Sequence, residues 1–205
     1  MFKKFDQNEQ KAITLMKTSV ARNIRKSVET TYEGIGDVIE DFWPKKDAKC
    51  EMQKCEGKVE LAVVNGVPLF YRHRDGQWIP TLKLLHKFPA LLPRQKVDRG
   101  AIKGNFGEIT RNLFTGIFKF FESSCIFVLS GANIMCPGLT HPDAELDESI
   151  ENEAIVAIYA HGKEHALAIG QHCMSGKEIR EQNKGIGINL IHYLNDGLWH
   201  MQETE

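Results

Sequence analysis

Apolar positions recur at steps of three and four early in the chain, where Ile13, Met16, Val20, Ile24 and Val28 would share one face of a helix. Lys17, Arg22, Arg25 and Lys26 fall off that stripe and are expected in solvent. A second short helix is predicted over residues 35–43, with Val38, Ile39 and Phe42 on one face and Pro44 as its stop. After the polar connector PKKDAK the period changes to two. Val59, Leu61 and Val63 alternate, Asn65-Gly66 gives a hairpin turn, and VPLFYRHR returns as the second strand. Asp75-Gly76 marks another turn. PTLKLLHKF then predicts a helix opening on a proline, with Leu82, Leu85 and Phe88 inward, before Pro89 and Pro93 break it.

Beyond residue 92 the pattern is mostly β. FVLSGANIM, AIVAIYA, HALAIGQHCM and GINLIHYL are four predicted strands, rich in β-branched residues and bounded by glycine turns. Between the last two, SGKEIREQNKG predicts one short helix, opened by a Ser175/Glu178 capping box and stopped at Gly185. Short strands with glycine turns over so few residues predict a small, partly open barrel. The expected organisation is an α/β module over residues 1–91 followed by a mostly-β module over 92–195. One block fits neither. Five of the eleven phenylalanines (Phe106, Phe114, Phe118, Phe120 and Phe121) crowd one stretch, and Ile109, Leu113, Ile117, Phe120 and Phe121 share a helical stripe. The prediction there is an inserted amphipathic helix over 104–126, too short to span a membrane.

Charge sharpens the division. The net charge of −1 conceals 20 Lys+Arg against 13 Asp+Glu in residues 1–103, and 6 against 14 in residues 104–205. The first module is therefore expected to face an anionic partner, and Lys45, Lys46, Lys83, Lys87, Arg94 and Lys96 are its candidate surface. The opening MFKKFDQNEQK is charged where a secretory signal needs an apolar core, and no apolar run is long enough for a membrane span. Five scattered cysteines suit a reducing compartment, so the expectation is a cytoplasmic protein. Cys50 and Cys55 have a spacing that zinc sites use, but no second Cys/His pair follows. Cys136 beside Pro137, with His161 or His165 as base, would be a nucleophile only with an orienting third group, and none is evident. No catalytic residue, metal or cofactor is expected.

VDRGAIK, FVLSGANIMCPGLT, AIVAIYAHGKEHALAIG, NKGIGI and HYLNDGLW resemble a PUA domain, an RNA-binding module. With MFKKF, PKKD, PTLKLLHKFP and the closing IHYLNDGLWHM, the chain resembles the malignant-T-cell-amplified-sequence translation factor family nearly end to end. The resemblance implies a non-enzymatic factor that pairs with a density-regulated-protein homologue. It also implies contact with small ribosomal subunit RNA and tRNA, in initiation, reinitiation and recycling. The RNA-facing groove it implies carries over to Gly131, Ala132, Asn133, Pro137 and Gly138, with Ile191 and His192 on the other side. Residue chemistry agrees, because glycine lets backbone approach a nucleotide and exposed N–H groups with Asn133 can read an unpaired end. In the family GAIK runs directly into FVLSGAN, so 104–126 look inserted before or within the first PUA strand, and the acidic run over 143–153 is a further departure. The alternatives are an RNA-modifying enzyme component that uses the PUA domain to deliver RNA, and a protein scaffold that never touches RNA. Against the first, residues 1–92 carry no paired catalytic carboxylates, Gly-rich cofactor loop or zinc tetrad.

Overall fold

The computed structural model describes residue 2 and residues 10–32, 34–97, 126–142, 144–160 and 163–201. The inserted helix expected over 104–126 thus lies outside the described residues except at Ile126. Two compact units emerge: Phe2–Pro93 with the tail Asn195–Glu205, and Arg94–Leu194. No helix among the described residues is long and apolar enough to cross a membrane.

The first unit is built on an antiparallel sheet in the order β1 (Gln10–Leu15), β2 (Cys50–Cys55), β3 (Val59–Val64), β4 (Val67–His73) and β5 (Ile79–Pro80). Strand β1 corrects the helical reading of the first residues. Ile13 lies opposite Gln53 across the β1–β2 ladder, a long-range pairing that local periodicity cannot register. Helix α1 (Thr18–Thr31) therefore takes only Val20, Ile24 and Val28 of the expected stripe, and buries the last two. Arg25 is the second correction. It is buried rather than solvated, because its guanidinium donates to Glu29 (3.1 Å), Glu40 (2.6 Å) and the Trp43 carbonyl (2.7 Å). Helix α2 (Ile35–Phe42) buries Ile35 and Ile39 and ends before Trp43 and Pro44.

The β3–β4 hairpin turns at Asn65 and Gly66, whose φ of 49° and 80° are the left-handed pair that a tight primed turn requires. Helix α3 (Leu82–Lys87) opens on Thr81 rather than on the proline. The Thr81 hydroxyl accepts from Leu84 N and donates to the Pro68 carbonyl, so one side chain caps the helix and ties it to β4. The closing helix α7 (Gly197–His200) belongs with this unit. Its cap Asp196 accepts from Trp199 N at 2.9 Å, Gly197 N donates to the Phe2 carbonyl at 3.1 Å, and the Trp199 ring lies 5.3 Å from His86.

The second unit holds a sheet in the order β6 (Arg94–Val97), β8 (Ile155–Ala160), β9 (Ala168–His172), β10 (Ile186–Tyr193) and β7 (Ile134–Met135). Only β6–β8 is parallel. Three of the four expected strands are present, but FVLSGANIM is not one strand. Its front is the helical turn α4 (Ile126–Leu129), and only β7 is extended. The cause is a Schellman closure: Ala132 N donates to the Phe127 carbonyl and Gly131 N to the Val128 carbonyl, with Gly131 left-handed at φ 81°. The short α5 (Cys136–Leu139) follows β7 directly. Helix α6 (Gly176–Gln182) carries the reciprocal Ser175/Glu178 capping box, but it stops at left-handed Asn183, ahead of Gly185. Val128, Ile134, Leu139, Ile158, Ile179 and Ile188 meet in one apolar core beneath the sheet.

Candidate nucleic-acid interface

Strand β7 is two residues long, so the backbone of β10 outruns it. Beyond the Ile134–Ile188 pair the next β10 donor is Leu190 N, and the Asn133 side-chain oxygen accepts from it at 2.9 Å. This bond fixes the orientation of the Asn133 amide, because a backbone N–H needs the oxygen. The amide NH2 makes no hydrogen bond among the described residues, and Asn133 is an exposed residue. Ala132 is exposed beside it, and both residues line a small cleft of about 210 Å³ with Val97, Phe127 and Met135. Met135 and its cross-strand partner Ile186 are also exposed, at 47% and 40%.

The remaining groove residues separate. Pro137 is exposed at the start of α5. Gly138 is buried, which corrects the idea that its backbone offers a close approach to RNA. Ile191 and His192 are corrected too: they are 8% and 1% exposed, so neither side chain can form the groove's far wall. A register shift between Leu190 and His192 breaks the alternation of β10 and turns consecutive residues inward. No sequence period signals such a bulge. Gly131 has a structural reason of its own, since a Cβ there would stand 2.9–3.0 Å from the Tyr193 ring and hydroxyl.

The basic candidates differ in how far they are committed. Lys45 pairs with Glu40 at 2.9 Å, Lys83 donates to the Met201 carbonyl at 2.8 Å, and Lys96 pairs with Glu145. The Arg94 guanidinium lies 5.1 Å over the Tyr159 ring. Lys46 and Lys87 are exposed and make no ion pair among the described residues. The Arg25 guanidinium, and after it Lys45, holds the Glu40 carboxyl down to about 2. Part of the acidic run serves the fold, since Glu145 pairs with Lys96 and Glu148 with Arg180 at 2.8 Å. Asp147 accepts from the backbone and hydroxyl of Ser149.

Cys50, Cys55 and Cys136 carry no reactive geometry among the described residues. Cys136 is fully buried, donates to the Lys184 carbonyl at 3.3 Å, and burial pushes its thiol up, the reverse of an activated nucleophile. His161 lies outside the described residues, and His165 is exposed. Cys50 and Cys55 stand at opposite ends of β2, on the order of 16 Å apart and on opposite faces, too far to share a metal.

A Pre-PUA-like domain model matches residues 2–89, and an elF2D, PUA domain model matches residues 117–197. Malignant T-cell-amplified sequence 1 of Danio rerio is 45% identical over 203 residues, covering 98% of each chain. The chain belongs to the malignant T-cell-amplified sequence family. The Dictyostelium discoideum homolog of malignant T-cell-amplified sequence 1 is 41% identical over 190 residues, covering 93% of this chain and 91% of the other. Solved structures place the fold of this family member among PUA proteins. A hypothetical protein of Pyrococcus horikoshii aligns with a TM-score of 0.64 at 22% identity, over 92% of this chain and 98% of that one. A PUA domain of Aeropyrum pernix aligns at 0.61 and 22%, over 92% and 89%. The expected order, an α/β pre-PUA module followed by a PUA domain, is the order found.

Proposed function

We propose that this chain is a non-enzymatic, cytoplasmic RNA-binding translation factor. In this reading it pairs with a density-regulated-protein homologue. Together they act on the small ribosomal subunit with tRNA, in initiation, reinitiation and recycling. The observation that carries the reading is the loop around β7 in a PUA domain, where Ala132, Asn133 and Pro137 are exposed and the Asn133 oxygen alone is taken up by the sheet among the described residues. An amide donor beside exposed loop backbone suits the edge of an unpaired nucleotide better than a duplex. Gly131 serves the turn behind this surface, and the buried Gly138, Ile191 and His192 are not part of it. The inert burial of Cys136 supports a factor without chemistry of its own.

The basic residues of the first unit supply electrostatic attraction to phosphate. Co-sedimentation with purified small subunits, in the presence of deacylated tRNA and across a salt series, tests the reading. The wild type is expected to co-sediment at low salt and to dissociate as salt rises. Lys46→Glu with Lys87→Glu, at two uncommitted lysines, is expected to weaken it. Absence of co-sedimentation at low salt would contradict the proposal.

A further inference from the structure

A cleft of about 730 Å³ opens in the first unit between α1 and the 43–50 connector. Five cations and two carboxylates line it: Arg22, Arg25 and Lys26 with Glu29 from α1, and Lys45 and Lys49 with Asp47 from the connector, so the lining is net positive. The cations are not equally available. Arg25 is committed inside the unit to Glu29, Glu40 and the Trp43 carbonyl. Lys45 and Lys49 hold Glu40 and Glu51, but their side chains are 74% and 59% exposed, and exposed pairs of this kind hold by little and exchange readily. Arg22 and Lys26, one helical turn apart, are exposed and make no ion pair among the described residues. The cleft thus presents two uncommitted cations and two that can change partners.

An apolar strip adjoins it on β1. Leu15, at the end of β1, is 68% exposed, and Ile13, two residues back on the same face of the strand, is 55% exposed. Among the described residues β1 is also the edge of its sheet, so its outward backbone groups are open to a further strand. The cleft has one aromatic ring, Trp43, and it is 2% exposed. Single-stranded nucleic acid binders offer exposed rings for bases to stack on, and exposed aliphatic side chains give nothing to phosphate. A protein segment fits both halves of the surface.

We infer that this cleft docks an acidic segment of a partner protein, its carboxylates taken by Arg22, Lys26, Lys45 and Lys49 and a large apolar side chain set against Leu15 and Ile13. The inference rests on the reading that the chain works with a protein partner, and it assigns that partner's docking surface and chemistry. A segment running past Leu15 can add main-chain hydrogen bonds along β1, with side-chain pockets supplying specificity.

The test is calorimetric titration of the full chain with the recombinant density-regulated-protein homologue of the same organism. Three variants are compared with the wild type: Arg22→Glu with Lys26→Glu, Leu15→Asp, and Lys177→Glu on α6 of the second unit. All alter exposed side chains, so unfolding midpoints should match the wild type. The first two are expected to lose about tenfold or more in affinity, wild-type binding should weaken with added salt, and Lys177→Glu should bind as the wild type does. Unchanged affinity in both cleft variants overturns the inference and leaves the pairing standing. Loss of small-subunit co-sedimentation with partner binding intact overturns it in favour of RNA. A wild-type pair that does not bind overturns the pairing and the inference with it.

Discussion

The Asn133 side-chain oxygen accepts from Leu190 N at 2.9 Å, standing in for the residue that the two-residue strand β7 lacks. One half of the amide thus holds the sheet edge and the other half is offered outward. The two roles can be separated. Asn133→Ala removes the acceptor and should cost roughly 0.5–1.5 kcal/mol of stability, read by denaturant unfolding. Asn133→Asp keeps an acceptor for Leu190 N but exchanges the outward donor for charge, so it should unfold near the wild type while binding tRNA more weakly. Equal RNA binding by the Asp variant would confine Asn133 to its structural role.

Gly131 is a poor probe of RNA contact. Its φ of 81° closes α4, and a Cβ would meet the Tyr193 ring. Gly131→Ala is expected to lose about 1–3 kcal/mol through strain alone, before any RNA is added. A thermal midpoint equal to the wild type would show that the loop tolerates a side chain, and would reopen the backbone-approach explanation.

Arg25 organises the α1–α2 region through two carboxylates and a carbonyl. Arg25→Met keeps most of the stem but leaves the Trp43 carbonyl without its donor and Glu40 with Lys45 alone, and should cost roughly 1–3 kcal/mol in urea unfolding. Glu40→Gln should cost less, since Glu40 is 47% exposed. A cost for Glu40→Gln as large as that for Arg25→Met would mean that the carbonyl contact is idle.

His172 makes the stability of the protein depend on pH. It is 1% exposed, its Nδ1 lies 3.2 Å from the Met174 carbonyl, and its Nε2 has no partner among the described residues. Burial lowers its pKa below the ordinary 6.5, with the carbonyl and Asp147 opposing. The unfolded chain therefore takes up the proton first, and stability falls as pH drops through about 6.5. His172→Phe, which cannot titrate, should show a flatter decline between about pH 7 and 5 in urea unfolding. An unchanged slope would place the acid sensitivity elsewhere.

These residues also show what the sequence could and could not say. The β3–β4 hairpin, the α6 capping box and strands β8–β10 were legible because their signals are local: Asn65-Gly66, Ser175 with Glu178, and runs of β-branched residues. Strand β1 was not, because its partner lies some forty residues away and its own spacing fits a helix. The turn α4 was hidden behind the strong strand propensity of FVL, and only the left-handed requirement at Gly131 hinted at a helix end. The candidate site came from the resemblance to PUA domains; of its residues the structure exposes Ala132, Asn133 and Pro137 and turns Ile191 and His192 inward at the β10 bulge. The burial of Arg25 likewise depends on Glu40, from another helix.

If the exposed loop around β7 engages RNA, Ala132 is the residue that reports it most directly. Ala132 is exposed and lies past the left-handed turn, so Ala132→Glu adds one carboxylate beside the Asn133 NH2 without disturbing the core. The decisive measurement is the affinity of this variant for deacylated tRNA by fluorescence anisotropy, after its unfolding midpoint has been shown to match the wild type. A loss of about tenfold or more is expected, because the new charge would face the phosphates that the site receives. Unchanged affinity in a fully folded Ala132→Glu protein would contradict it.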